Sequence, residues 1–333
     1  MAPPIYRFVA DGKDITGLVK GRLVSASVTD KQGMESDSAS LIIDNTKAPY
    51  FEGPEPGGLL EIWLGWKDTG LVRLGSYTVD KTSEQFGPDR LVIDAKAADM
   101  GAQLKEQKRR SWANTTIGAV VDQIAQEHNL SAVVSPDLAA LPLAHLDQTD
   151  EGDMNLLTRL ARERGALAKF ADKRVIFARK GEAKELLTGR ALPLVAIDQS
   201  ECAPGATLDR RERNNYKAVR AFWYSDAQAE RKEVKAGDGG PVYTIRNKYQ
   251  DEQSAARAAD AKLAEFKRGA LSMTLALYKG RPELFAEAPA VFTGFPSHRL
   301  PGQRFILTDV SHSFGDGGFT SRITAETNPG EDN

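Results

Sequence analysis

The sequence predicts a β-rich α+β protein, in which two related antiparallel β-barrel domains, residues 1–98 and 201–333, flank an inserted small α/β domain, residues 99–200. Three observations predict it. Short apolar/polar alternations separated by turn residues fill the first and last parts of the chain, two amphipathic helical stretches lie between them, and one strand pair overlays another far along the sequence. With 333 residues, 41% of them hydrophobic, the chain has material for two or three cores.

The first part reads as antiparallel sheet. Tyr6, Phe8 and Ala10 alternate ahead of the turn Asp11-Gly12, and Val24, Ala26 and Val28 alternate with Ser25, Ser27 and Thr29, the period of two that turns one face of a strand to a core. Leu41–Ile43 makes another strand. Pro54–Gly58 is a turn by composition; Leu60, Ile62 and Leu64 then alternate with Glu61 and Trp63, and Tyr77–Thr82 and Leu91–Ala97 follow. Five or six such strands predict a barrel or a sandwich.

The pattern changes near Asp99. Ile117, Val120, Val121 and Ile124 share a helical face between Thr115 and Asn129, with Thr115 or Thr116 as N-cap. A second helix runs over about Asp153–Arg164, its stripe formed by Met154, Leu157, Leu160 and Ala161 and its end marked by Gly165. Ala166–Phe170 and Arg174–Ala178 flank Asp172-Lys173 as a hairpin that closes this α/β unit.

Strands return from about Cys202: Val219, Ala221 and Trp223 alternate, and Leu271–Tyr278, Ala290–Thr293, Phe305–Val310 and Phe319–Glu326 follow. One helix interrupts them, Gln253–Arg268, with Ala256, Ala259, Leu263 and Phe266 on one side and Gly269 as its stop. Gly237–Gly240 reads as a loop tip and Asn328–Asn333 as a frayed tail.

At an offset of 228 residues the strand pair ending the first part lies without gaps on the pair ending the third. Tyr77 falls on Phe305, Val79 on Leu307, Phe86-Gly87 on Phe314-Gly315, Leu91 on Phe319 and Ala95 on Ile323, while Ile93 meets Ser321 and breaks the pattern. Two copies of one hairpin would keep the same face apolar in this way; two unrelated hairpins with few identities remain the other reading.

The composition and motifs argue against several function classes. Forty-four Lys and Arg nearly balance 46 Asp and Glu, so the net charge of −2 predicts no tight capture of nucleic acid or membrane. Cys202, the single cysteine, excludes an intrachain disulfide and is expected to be a buried thiol suited to a reducing cytoplasm. Met1–Ala10 does not resemble a signal peptide, and the most apolar run, Gly57–Trp66, is of strand length and carries Glu61, so no membrane span is expected.

No catalytic, cofactor-binding or metal-binding residue is nominated. His128, His145, His298 and His312 form no HExxH pair or zinc spacing, and His128 reads as a cap at a helix C-terminus. GxSxG, GxxxxGK[ST] and strand-linked GxGxxG motifs are missing, and Gly237-Asp238-Gly239-Gly240 reads as a hairpin tip. Asp147, Asp150, Glu151 and Asp153 precede a helix, where the dipole favours carboxylates, more readily than they form a glycosidase dyad. Lys105–Arg110 and Arg210–Arg213 read as solvated basic faces, with contact to DNA or an acidic partner as the alternative. Trp63, Trp66 and Trp112 suit core or interface; strand-borne Trp223 suits core.

Several stretches together resemble the phage late control gene D protein family, the tail hub proteins of contractile-tailed phages. They are Pro4–Arg7 with Asp11–Thr16, Leu60–Trp66, Ser111-Trp112 leading into Thr115–Gly118, and His145–Gln148 followed by Asp153 and Leu156–Ala166. The last stretch is also similar to the hub region of type VI secretion spike proteins. The resemblance covers nearly the whole chain. It implies tube-like β-barrels, a homotrimer forming a pseudo-sixfold ring, and a structural, non-enzymatic role at the virion's tail baseplate after assembly in the host cytoplasm. It also implies partners: tail tube and tape measure proteins above, a trimeric tail spike below, baseplate wedge proteins around, and transient passage of DNA. The chain ends at Asn333 without a β-helical needle, so a separate spike polypeptide is expected. The alternatives are the hub of a tailocin or type VI-like injection machine and, from a different class, a tail-associated cell-wall hydrolase.

Overall fold

The computed structural model describes residues 2–33, 37–97, 102–171, 174–181, 192–210, 216–225, 230–249, 251–268 and 270–328. The turn Asp172-Lys173, the stop Gly269, the tail beyond Asn328, most of the run Arg210–Arg213 and the change of pattern near Asp99 lie outside the described residues.

The first unit consists of β1 (Pro4–Ala10), β2 (Lys13–Asp14), the short α1 (Thr16–Val19), β3 (Leu23–Lys31), β4 (Ser38–Asp44), β5 (Leu59–Trp66), β6 (Gly70–Gln85) and β7 (Arg90–Ala97). Their hydrogen-bonded order is β3-β4-β7-β6-β5-β1-β2, every neighbour antiparallel. The alternating residues face a single core: Phe8 from β1, Ala26 and Val28 from β3, Leu41 and Ile43 from β4, Ile62 and Leu64 from β5, Val79 from β6, Ile93 and Ala95 from β7. Six strands of one sheet reach a common core only if the sheet curls on itself.

The insert begins with α2 (Ala102–Lys105) and β8 (Gln107–Thr116), then α3 (Ile117–Glu127), β9 (Ser131–Val134), α4 (Pro136–Ala139), β10 (Pro142–Gly152), α5 (Asp153–Glu163), β11 (Ala166–Ala171) and β12 (Arg174–Arg179). Thr116 is the N-cap of α3, its hydroxyl accepting from the Ala119 N–H at 3.3 Å. Gly165 takes the left-handed conformation after α5, φ +61°, that suits glycine. The expected hairpin is present as β11 and β12, and β9 joins it in parallel. Val120, Val121 and Ile124 of α3 and Leu156, Leu157 and Leu160 of α5 form a second core.

The last part contains β13 (Val195–Asp198), β14 (Thr207–Arg210), β15 (Ala218–Ser225), β16 (Glu230–Gly237), β17 (Val242–Tyr249), α6 (Glu252–Arg268), β18 (Leu271–Leu277), β19 (Pro289–Thr293), β20 (Phe305–Gly315) and β21 (Gly318–Thr327). By pairing, β13 joins this part and not the insert, since it lies parallel to β19. Six of these strands pair in the order β14-β18-β21-β20-β19-β13 around a third core that includes Ile197, Met273, Leu275, Phe305, Leu307 and Ile323. Residues 218–268 are a separate excursion: β15–β17 make their own sheet, covered by α6. On α6 the buried residues are Ala255, Ala258, Ala259, Leu263 and Phe266, so Ala256, expected on that face, lies at its margin. Trp223 is half-buried against this core.

Taken in chain order, the six strands of the last part occupy the same places in their sheet as β1, β3, β4, β5, β6 and β7 in theirs. One difference of direction separates them: β1 is antiparallel to β5, β13 parallel to β19. The excursion 218–268 falls between the equivalents of β3 and β4. The overlaid hairpins agree down to a bulge, after Val79 in β6 and after Leu307 in β20, at the same offset of 228. On the return strand the offset is 230, because the chain between Gln85–Arg90 and its equivalent pair Ser313–Thr320 is two residues longer in the second hairpin. Ile93 therefore matches Ile323 and Ala95 matches Ala325, which corrects the gapless match and moves its one exception to Leu91, which now meets the buried Ser321. Phe86 is 81% exposed in a loop, whereas Phe314 lies in a strand against Tyr6, ring centroids 5.0 Å apart.

The two curled sheets are joined edge to edge: β20 pairs antiparallel with β3, Asp309 opposite Lys31 through Gly315 opposite Ser25. The order continues through this seam instead of closing each barrel separately. Trp66 is buried across the seam, its indole N–H donating to the Gly280 carbonyl at 2.8 Å and its ring 5.6 Å from Phe319. Asn328, read as the start of a frayed tail, is anchored instead: its N–H donates to the Arg304 carbonyl and its side-chain amide to the Gly181 carbonyl, at 2.8 and 2.7 Å.

Candidate functional site

The insert holds a buried charge centre, two of whose members, Lys108 and Arg110, the sequence pattern assigns to a solvated basic run. Asp153, the first residue of α5, is fully buried. Its Oδ2 accepts from Lys108 Nζ at 2.7 Å and lies 2.8 Å from His128 Nε2, and its Oδ1 accepts from Arg110 Nη2 at 2.6 Å and Gln148 Nε2 at 2.9 Å. Glu127 receives Lys108 at 3.0 Å, Arg110 Nη1, and Gln123 at 3.0 Å, and Trp112 donates to Gln123 while carrying Arg110 over its ring. Burial alone would raise the Asp153 carboxyl; hydrogen bonds from His128, Lys108 and Gln148 and the Arg110 charge outweigh it and hold the group below its usual range. Glu127 is lowered in the same way.

Three earlier readings change here. Lys108 and Arg110 are not a solvated face: in β8 the period of two points Lys108, Arg110 and Trp112 to one side, toward α3 and α5, while Arg109 points out to Asp150. Asp153 acts as the hub of four donors as well as a carboxylate at a helix start. His128 is the C-cap residue of α3, but its ring is committed to Asp153.

Glu127, His128 and Asp153 also bring three possible metal-ligand atoms together. They do not fit a metal, because two cationic side chains already point at the same oxygens and a dication would face both. Nor do the acidic residues ahead of α5 form an open carboxylate pair. In a cleft of about 510 Å³ lined by Asp147, Asp150, Glu151 and Arg159, Asp150 is bound two-pronged by Arg109 and Glu151 by Arg159.

A second charged node ties all three parts of the chain together. Lys169 of β11 donates to Asp30 at 2.5 Å, to the Lys31 carbonyl at 2.9 Å and to Asp37 at 3.0 Å, while the other Asp30 oxygen accepts from the Ala286 N–H at 2.8 Å. Burial, opposed by the Lys169 charge and aided by that of Asp30, pushes the Asp37 carboxyl up to about 6. His312 is buried with both ring nitrogens engaged, Nδ1 with Ser321 Oγ at 2.8 Å and Nε2 with the Leu284 carbonyl at 3.1 Å. Burial lowers its pKa, and this Ser–His pair is sealed in the core, with Ser321 wholly inaccessible. Cys202 is buried, with its thiol on the Asp198 carbonyl at 3.4 Å and its pKa raised by burial. No helix among the described residues is long and apolar enough to cross a membrane.

Paired sheets joined edge to edge, with the charged centres spent on tying the chain's own parts together, define a structural building block. The chain belongs to the phage tail baseplate hub (GPD) family, whose model matches residues 68–318. It is 28% identical over 364 residues to a protein of Escherichia phage 186 named "Probable baseplate hub protein", covering 97% of this chain and 92% of that one. Its fold is similar to that of the 43 kDa tail protein of prophage MuSo2 from Shewanella oneidensis, with a TM-score of 0.69, 14% identity, and 97% and 98% of the two chains covered. It is also similar in fold to a type VI secretion system component of E. coli, with a TM-score of 0.55, 10% identity, and 91% and 73% covered.

Proposed function

We propose that this chain is the structural baseplate hub of a contractile phage tail, a homotrimeric adaptor between a sixfold tail tube and a threefold central spike. The observation that carries the reading is the repeated strand order: one chain holds two curled sheets of the same topology, joined side by side. Three such chains in a ring present six like units to a sixfold partner and remain three chains to a threefold one. In this reading residues 1–98 are one tube-like unit, residues 201–333 with β13 (Val195–Asp198) are the other, and the rest of 99–200 is the insert. Tail tube, tape measure and wedge proteins meet the ring, DNA passes through it, and the chain resides in the virion baseplate after assembly in the host cytoplasm. The near-neutral balance of charge suits passage rather than capture of DNA.

The test is mass in solution by sedimentation, alone and with a cognate trimeric spike protein. A trimer in either condition supports the reading, and a monomer in both refutes it. A second reading, the hub of a tailocin or type VI-like machine, is favoured by the shared fold with the E. coli component; neighbouring capsid genes decide against it. The rival reading as a wall hydrolase predicts clearing on a peptidoglycan zymogram, and none is expected.

A further inference from the structure

We propose that the outer edge of β6 between Thr82 and Gln85 receives β14 of a neighbouring copy of this chain, in the register that β3 already makes with β20. The inference rests on the ring reading above and names the strands that close it.

Within one chain the junction between like units is fully visible. β3 lies on the edge of β20 that β21 leaves open, Thr29 opposite Ser311 with their hydroxyls 2.8 Å apart. The equivalent edge in the first unit belongs to β6. β5 covers it from Gly70 to Thr78, and Gly57 and Gly58 bond to Val79. In the second unit Glu287 and Ala288 bond to Leu307 in the same manner. Beyond that point β3 takes over in the second unit, whereas among the described residues Thr82–Gln85 has no strand on that side. The equivalent of β3 is β14, and it ends the sheet order, paired among the described residues with β18 alone. Among its described residues each chain thus carries one unfilled socket and one unused strand, seven steps apart in the order.

Carrying the register across places Thr207 opposite Gln85, Leu208 opposite Glu84, Asp209 opposite Ser83 and Arg210 opposite Thr82. The pairs are complementary: the Ser83 hydroxyl faces a carboxylate where Ser311 faces Thr29, and Glu84 lies diagonal to Arg210. Space is available as well. The Thr82 hydroxyl donates to the Pro54 carbonyl, and the corresponding loop of the second unit coexists with β3, the Ala286 N–H donating to Asp30. A socket and strand at different places on one surface make a head-to-tail contact, the kind that closes into a ring when the rotation between copies completes a turn.

The Gln32 N–H donates to the Thr308 carbonyl, so alternation puts Ser311–Thr29 at a non-hydrogen-bonded site, where side chains stand closest. The matching Ser83→Cys, Asp209→Cys double variant of the full chain should therefore oxidise to covalent dimers and trimers on a non-reducing gel. Ser83→Cys with Leu208→Cys, one residue out of register and on the other face, should stay monomeric on that gel. By the same alternation the Glu84 N–H points to the open edge, so Glu84→Pro should shift the native mass to monomer with an unchanged circular dichroism spectrum. Native multimers that fail to cross-link at 83/209 and survive Glu84→Pro overturn this pairing and leave the hub reading standing. A monomer in every condition, with and without the spike, overturns both.

Discussion

Replacing Asp153 by Asn tests whether the insert is organised by its buried carboxylate. The change keeps the shape and one oxygen, so Arg110 and Gln148 keep an acceptor, but the new amide presents a donor to Lys108 Nζ and His128 Nε2, which stand 2.7 and 2.8 Å from the present Oδ2. Two charge-assisted hydrogen bonds at about 1.5–3 kcal/mol each are lost, which agrees with the about 3–5 kcal/mol typical of a broken buried ion pair. For a unit of about 100 residues that corresponds to a fall of about 12–40 °C in the insert's unfolding temperature. Scanning fluorimetry and circular dichroism would measure it, and about 0.5 M salt should not change it, because buried charges are poorly screened. Adding Lys108→Met, which removes the stranded cation, should restore part of the loss. A fall of less than about 2 °C would refute the argument that this carboxylate holds β8, α3 and α5 together.

Three further outcomes are expected. Trp66→Phe removes the indole bond to the Gly280 carbonyl at the seam and should cost about 1–3 kcal/mol in denaturant unfolding, while Trp66→Ala, which also empties a buried site, should cost about 3–5 kcal/mol. Because the folded Asp37 carboxyl is raised to about 6, its contribution is fully present below the unfolded carboxylate range and is lost as pH rises through about 6. In chemical unfolding across this window, wild type should therefore lose stability relative to Asp37→Asn; no relative change would contradict the burial argument. Thr116→Ala removes the cap of α3 and should lower stability by about 1 kcal/mol, measured in the same way, with Thr116→Ser largely retaining it.

Much of this molecule is written in local pattern. The alternations at Leu60–Leu64 and Leu91–Ala97 became strands with those residues buried, and the stripes at Ile117–Ile124 and Leu157–Ala161 became helices with those faces in the core. The overlaid hairpins match despite an omitted gap for a physical reason: the gap is two residues, and a strand repeats every two, so the buried face matches at either offset. The charge centre was missed because Lys105–Arg110 was read as composition. Read as a strand, the same residues alternate, and Lys108, Arg110 and Trp112 on one side were the available signal.

By itself the sequence determined which residues pair locally, which faces are apolar, and that the strand pattern returns after an α/β insert, since each depends on neighbours within a few positions. Only the tertiary structure decided that β3 meets β20 across the length of the chain, that residues 218–268 split the second sheet, and that Asp153 collects four donors from three elements. Edge-to-edge pairing carries no side-chain period of its own: backbone groups make the bonds, and any strand of suitable edge chemistry satisfies them.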